Sequence, residues 1–259
     1  MAQQLTATGE GAALRAKIAM IRPALDIASS RVWLDPDPAA YARYLAAMYP
    51  VARAAVPLMR FARRRCLRHP ADPLSRPLIA FLTRHIREER GHDRWVRADL
   101  AALGQGPAPP SPAVTGLIGA QYQLIAAVHP VTLLGCIAVL ESAPPSQALL
   151  DHVRALTDGA PTMTLARHAV SDADHAKQIF AVLDRLELGA RLRAGLGFSA
   201  LYTVRQAMAL FDELAGGPIR PAADLSEGET ALLTEIQSAP GDLPDVMAHS
   251  GDIAGGLFL

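Results

Sequence analysis

The stretch His168-Ala-Val-Ser-Asp172-Ala-Asp174-His175 sets His168, Asp172 and His175 at i, i+4 and i+7. On an α-helix these positions fall within about 60° of one another, each roughly a turn beyond the last. Leu165, Ala169, Ala176 and Ile179 flank the stripe. Two imidazoles and a carboxylate among such neighbours are costly to bury unless a cation or dense hydrogen bonding compensates them. The alternative is a solvated polar face. Mixed nitrogen and carboxylate ligation suits iron, manganese or zinc rather than calcium or magnesium.

Two further stretches supply matching side chains. In His85-Ile-Arg-Glu88-Glu89-Arg-Gly-His92, Glu89 and His92 stand at i, i+3 and are expected on one face of a continuous helix. Ferritin-like di-iron bundles present a carboxylate and an imidazole in this way. Alone, the pair is a weak signal, because charged helix faces produce it by chance. Glu88 rivals Glu89, and His85 is either a seventh ligand or a partner orienting Glu89. The third element is Glu141, which ends Val131-Thr-Leu-Leu-Gly-Cys-Ile-Ala-Val-Leu-Glu141. It is either a helix-end residue facing water or a buried bridging ligand. Glu89, His92, Glu141, His168, Asp172 and His175 together could hold two first-row metals and leave positions open for oxygen. Two divalent cations against three carboxylates also leave room for an anionic ligand or substrate.

The context of these residues is helical nearly throughout, and no period-2 strand stands out. Helices are expected at about Ala12–Ser29, Pro38–His69, Leu74–Leu103, Ala113–Val128, Val131–Ser142, Ser146–Leu156, Pro161–Leu186 and Ala190–Leu214. Pro50 and Pro57 should kink or divide the second of these. His129 should cap the break before Pro130. Residues 1–217 form one all-α bundle domain. Residues 218–259 are expected to form an irregular tail with room for a short helix at Gly228–Gln237.

The 259 residues are 51% hydrophobic and 19% charged, enough apolar side chain for a substantial core. Lys plus Arg number 25 and Asp plus Glu 25, which gives no electrostatic footprint for nucleic acid. The 2 cysteines, Cys66 and Cys136, exclude a disulfide framework, suit a reducing cytoplasm and read as core packing. Met-Ala-Gln-Gln-Leu-Thr lacks the basic start of a secretory signal. Ala113 to Leu140 is long enough to span a bilayer, but Gln121, Gln123 and the His129-Pro130 break argue for buried bundle helices. His69, His152 and His249 read as surface or loop residues. Tyr44, Met48, Tyr49, Tyr122 and Tyr202 read as core.

The order of ExxH, a solitary Glu on an apolar helix and HxxxDxxH resembles the haem-oxygenase-like di-iron oxidases and oxygenases. Ile86 to His92, followed by Trp95-Val96, is similar to the metal-binding helix of the undecene-forming fatty-acid decarboxylases in that group. Leu140-Glu141-Ser-Ala-Pro-Pro145 is similar to the Glu helix of bacterial iron-containing redox enzymes, and para-aminobenzoate-forming enzymes are further members. The resemblance spans about Pro38 to Leu214 and implies a haem-oxygenase-like bundle of about seven helices. It also implies two iron ions on the six residues already chosen by spacing, with manganese an alternative, and O₂ as co-substrate. The implied substrate is a small amino-acid- or carboxylic-acid-like molecule, with Arg60 or Arg205 the conceivable clamp. Homodimers are common among such bundles. The second helix departs from some relatives in having no Asp or Glu. The competing readings are a metal-free enzyme of the same fold and a non-enzymatic metal- or partner-binding bundle.

Overall fold

The computed structural model describes residues 9–33 and 37–216. The tail at 218–259, with its expected helix at Gly228–Gln237 and His249, lies outside them. Nine α-helices, rather than about seven, occur among the described residues: α1 Glu10–Ser30, α2 Ala40–Arg68, α3 Ser75–Glu88, α4 His92–Ala102, α5 Pro112–Ala127, α6 Leu133–Glu141, α7 Gln147–Leu156, α8 Met163–Leu183 and α9 Ala190–Leu214. Short 3₁₀ turns at Arg31–Trp33 and Pro130–Thr132 complete the set. No strand occurs among these residues.

The helix expected over Leu74–Leu103 is two helices. Gly91 has φ +102° and ψ 0°, a left-handed conformation that ends the helical ladder and that glycine adopts without strain. Glu89 caps α3, its N–H donating to the His85 carbonyl, and His92 opens α4. Glu89 and His92 therefore stand on either side of a turn, not on one helical face. The opposite departure occurs in α2, which runs unbroken through Pro50 and Pro57. Each proline removes one backbone donor. The buried side chains on either side, among them Tyr44, Leu45, Met48, Leu58 and Met59, hold the helix together across both.

Between α5 and α6, His129 caps the break as its position before Pro130 suggests. Its Nδ1 accepts from the Val131 N–H at 3.0 Å, and its Nε2 donates to Asp72 at 2.9 Å. The break leaves α5 with 16 residues and α6 with 9, and no described helix is long and apolar enough to cross a membrane. α6 packs closely on α9, where a Cβ on Gly135 would collide with the Leu196 carbonyl. α2 packs on α3, α4 and α5, α9 on α1, α5 and α6, and α8 on α1, α4 and α6. One continuous apolar core links them all.

Most residues assigned to the core are there. Tyr44, Met48, Cys66 and Cys136 are buried, and burial pushes both thiols up to about 11, as unreactive packing groups. Tyr122 is an exception, exposed beside Phe61, and Tyr49 and Tyr202 are only partly covered. His69 is exposed, whereas His152 is partly buried on α7 with Nε2 3.1 Å from the Trp33 carbonyl.

Candidate metal centre

α8 carries His168, Asp172 and His175 into the interior, all three buried. A solvated polar face is thereby excluded. The start of α8 is fixed by Asp99 of α4, whose carboxylate accepts from the backbone N–H of Met163 and Thr164 and from the Tyr41 hydroxyl. This anchors the carbonyl of Thr164, which accepts from His168 Nδ1 at 2.7 Å. Because a carbonyl can only accept, Nδ1 carries the proton and Nε2 is left with its lone pair. Burial and the neighbouring His92 lower the His168 pKa and favour this neutral form.

Glu141 is the last residue of α6 and is buried, which rules out the water-facing alternative. Arg22 of α1 donates to the carbonyl of the next residue, Ser142, at 2.8 Å and pairs with buried Asp26, so α1 clamps the end of α6. The Glu141 carboxylate lies between two imidazoles. His175 Nδ1 is 2.7 Å from Oε2, and His85 Nε2 is 3.0 Å from Oε1. Burial raises the Glu141 pKa, but the hydrogen bond from His175 and the proximity of His85 outweigh it, and the net value is lowered. For His85 and His175 burial alone would lower the pKa, and Glu141 with Glu89 raises it instead.

Glu89 reaches the same place from the turn at Gly91, 3.6 Å from His175 and 3.1 Å from His92. His85, Glu89, Glu141 and His175 each offer one ligand atom, and these atoms lie within 4.8 Å of one another. Glu88 borders the group, 3.3 Å from His85 Nδ1 and 3.9 Å from His175 Nε2, but is more exposed than Glu89. His92 lies beyond Glu89, its ring stacked on Trp95 and edge-on to His168 at 4.9 Å. Asp172 stands apart from the four-residue group. Ser171 donates to its Oδ1, and burial, then Glu141, push its pKa well above the ordinary carboxylate range.

The donor set fits a transition metal. Two imidazoles and two carboxylates in a buried group are ligands for iron, manganese or zinc. Three buried atoms here have no hydrogen-bond partner: His85 Nε2, His92 Nδ1 and Asp172 Oδ2. Carboxylate oxygens lie close to both ring nitrogens, but not along a hydrogen-bonding direction. Side chains that converge on a shared point rather than on each other leave this pattern, and an unpaired buried polar atom is otherwise expensive.

A cavity of about 60 Å³ opens onto His85, Glu89, His92, Glu141 and His168. Its remaining wall is almost wholly apolar, from α2, α5 and α6. Arg60 and Arg205 are exposed and do not line it.

Sequence reasoning left His85 between ligand and orienting partner, and the structure puts it inside the four-residue group. It missed Asp99 entirely. The available signal was spacing, since Asp99 follows His92 by seven residues and Val96 by three, on one buried stripe. It also passed over Gln121, which lines the cavity.

No protein-family model matches the chain, and no curated protein matches it. Among solved structures, the chain is similar to a domain of unknown function with a heme oxygenase-like fold from Shewanella denitrificans, with a TM-score of 0.64 and 20% identity over 78% of this chain and 90% of that one. The fold is therefore all-α and haem-oxygenase-like, and it carries a buried His/Glu group within metal-binding distance.

Proposed function

We propose that this protein is a non-haem iron oxidoreductase that binds two iron ions and uses O₂ to oxidise a small organic substrate. The observation that carries this reading is the convergence of His85, Glu89, Glu141 and His175, from α3, the Gly91 turn, α6 and α8, with the first three of them lining an otherwise apolar cavity. His92, His168 and Asp172, outside that group, would hold the second ion. Ferrous ions held there would supply electrons for the reaction with O₂.

The chain's own residues set the conditions. Glu141, central between two imidazoles, would be a carboxylate ligand to the metal. Without metal it accepts a hydrogen bond from the proton on His175 and attracts the His85 ring, and ligation would require the imidazole protons at the metal-facing nitrogens to leave. The Thr164 carbonyl holds His168 with Nε2 free. The aliphatic wall keeps bulk water from the reacting centre.

The test is to load the protein anaerobically with Fe(II) and mix it rapidly with O₂. O₂ consumption dependent on bound iron, with a transient visible absorbance, supports the proposal. A second reading draws on the Glu141–His175 hydrogen bond at 2.7 Å, which would serve metal-free acid–base catalysis. Catalysis of that kind survives chelation and needs no iron.

A further inference from the structure

Outside the candidate metal ligands and the thiol of Cys136, Gln121 is the one polar side chain in the cavity wall. It sits on α5 and is fully buried. The Ser199 hydroxyl of α9 donates to its Oε1 at 3.0 Å, which fixes the orientation of the amide. Ser199 is itself fully buried on a helix whose next turn is tied down by the Thr203 hydroxyl donating to the Ser199 carbonyl. The Nε2 group of Gln121, with two N–H donors, has no partner. A buried amide held by one end and unsatisfied at the other costs stability, on the order of 1–3 kcal/mol, unless something else accepts from it.

The rest of the wall narrows what that acceptor can belong to. Val51, Leu58, Met59, Leu117, Leu133 and Ile137 enclose the space, and no Lys or Arg lines it. A charged head group would find no counter-ion there other than the metal ligands themselves. The cavity is also small. At about 10–15 Å³ per water-sized group, it admits on the order of four to six such groups.

We infer that this cavity takes an uncharged, mainly aliphatic group of about five or six non-hydrogen atoms bearing one hydrogen-bond acceptor, and that the Gln121 amide recognises the acceptor. Gln121 is thus a specificity-determining residue, positioned by Ser199. The inference deepens the proposed function by naming the class of group that enters. Its binding step needs no metal, so it can be tested apart from that proposal.

The experiment uses the full chain after chelation, with pentan-2-one and n-pentane as probes and pentanoate and pentylammonium as charged controls. Nitrogen-15 NMR should show the Gln121 side-chain amide moving on addition of pentan-2-one and staying put with n-pentane. Pentan-2-one should bind more tightly than either charged control. Gln121→Leu should weaken pentan-2-one by roughly three- to tenfold, the worth of one hydrogen bond, and leave n-pentane as tight or tighter. An unmoved Gln121 amide in the wild-type protein overturns the inference even if the variant does not fold. Pentanoate or pentylammonium binding as well as the ketone overturns it too. Failure of the wild-type protein to take up iron would instead count against the metal centre and leave these results standing.

Discussion

Glu141 Oε2 and His175 Nδ1 lie 2.7 Å apart where the end of α6 meets the middle of α8, both side chains almost fully buried. A carboxylate and an imidazole so placed can serve as an ion pair or as two ligands to one metal. Under the proposed function both descriptions apply in turn: the pair would hold the interior together until an ion replaced the protons. Substituting Glu141 separates the two roles. Glu141→Ala strips His85 and His175 of their counter-charge and should cost on the order of 3 kcal/mol in urea denaturation of the metal-free protein. Glu141→Gln keeps the shape and should cost less, yet it should lower iron uptake nearly as far.

The pH dependence follows from the same residues. His85 and His175 have pKa values raised above 6.5 in the folded chain, against the pull of burial, by Glu141. Their stabilising contribution is complete below pH 6.5 and is lost as pH rises through the raised values. Glu141, lowered below 4.5, contributes above that pH and loses its contribution as pH falls through the lowered value. Asp172 is raised, so its burial also costs stability as pH climbs. His168 is lowered and acts in the other direction, resisting protonation below 6.5. The metal-free protein should therefore lose stability as pH rises above 6.5, and Glu141→Gln should flatten that limb. Iron affinity should move the opposite way, rising over the same range as fewer protons must be displaced. Parallel denaturation and metal-binding curves at several pH values check both trends.

Gly91 at φ +102° directs Glu89 and His92 toward the same interior from a turn. A Cβ there meets nothing within 4 Å, so Gly91→Ala introduces no clash. The cost is conformational alone, about 1–2 kcal/mol. Relaxation of the turn should cut iron affinity by more than that stability loss suggests, because two of the proposed ligands flank it. Equilibrium unfolding and iron titration of the same variant compare the two effects.

Much of this centre was legible in local spacing. His168, Asp172 and His175 recur at helical intervals among apolar neighbours, and that stripe points inward whatever the helix packs against. Glu141 stood out as the sole acid after a long uncharged run. The break at Gly91 was not legible, because a glycine inside a helical pattern can either continue or end the helix, and only tertiary packing decides. The persistence of α2 through Pro50 and Pro57 reflects the same override. The approach of His85 to Glu141 joins residues 56 positions apart and appears only when α3 meets α6. Gln121 looked merely like an obstacle to a membrane span, and its unpaired amide is visible only with Ser199 beside it.

Asp99 offers a test of support from outside the ligand group. It accepts three hydrogen bonds, two from the first turn of α8. Asp99→Asn turns an acceptor into a donor facing N–H or O–H groups and should destabilise the fold by about 1–3 kcal/mol. Folded protein should still bind iron, more weakly, since His168 depends on the carbonyl of Thr164 in that turn. Thermal melts with metal analysis of the folded fraction distinguish this outcome from loss of a ligand.

The most direct test is iron stoichiometry after anaerobic reconstitution, measured on the wild-type chain and on His175→Ala. The proposal requires close to two irons per wild-type chain and a sharp fall in the variant, with the helical fold retained by circular dichroism. Little or no iron in the wild-type protein, or unchanged occupancy in His175→Ala, would contradict it and reduce these buried side chains to a hydrogen-bonded polar network.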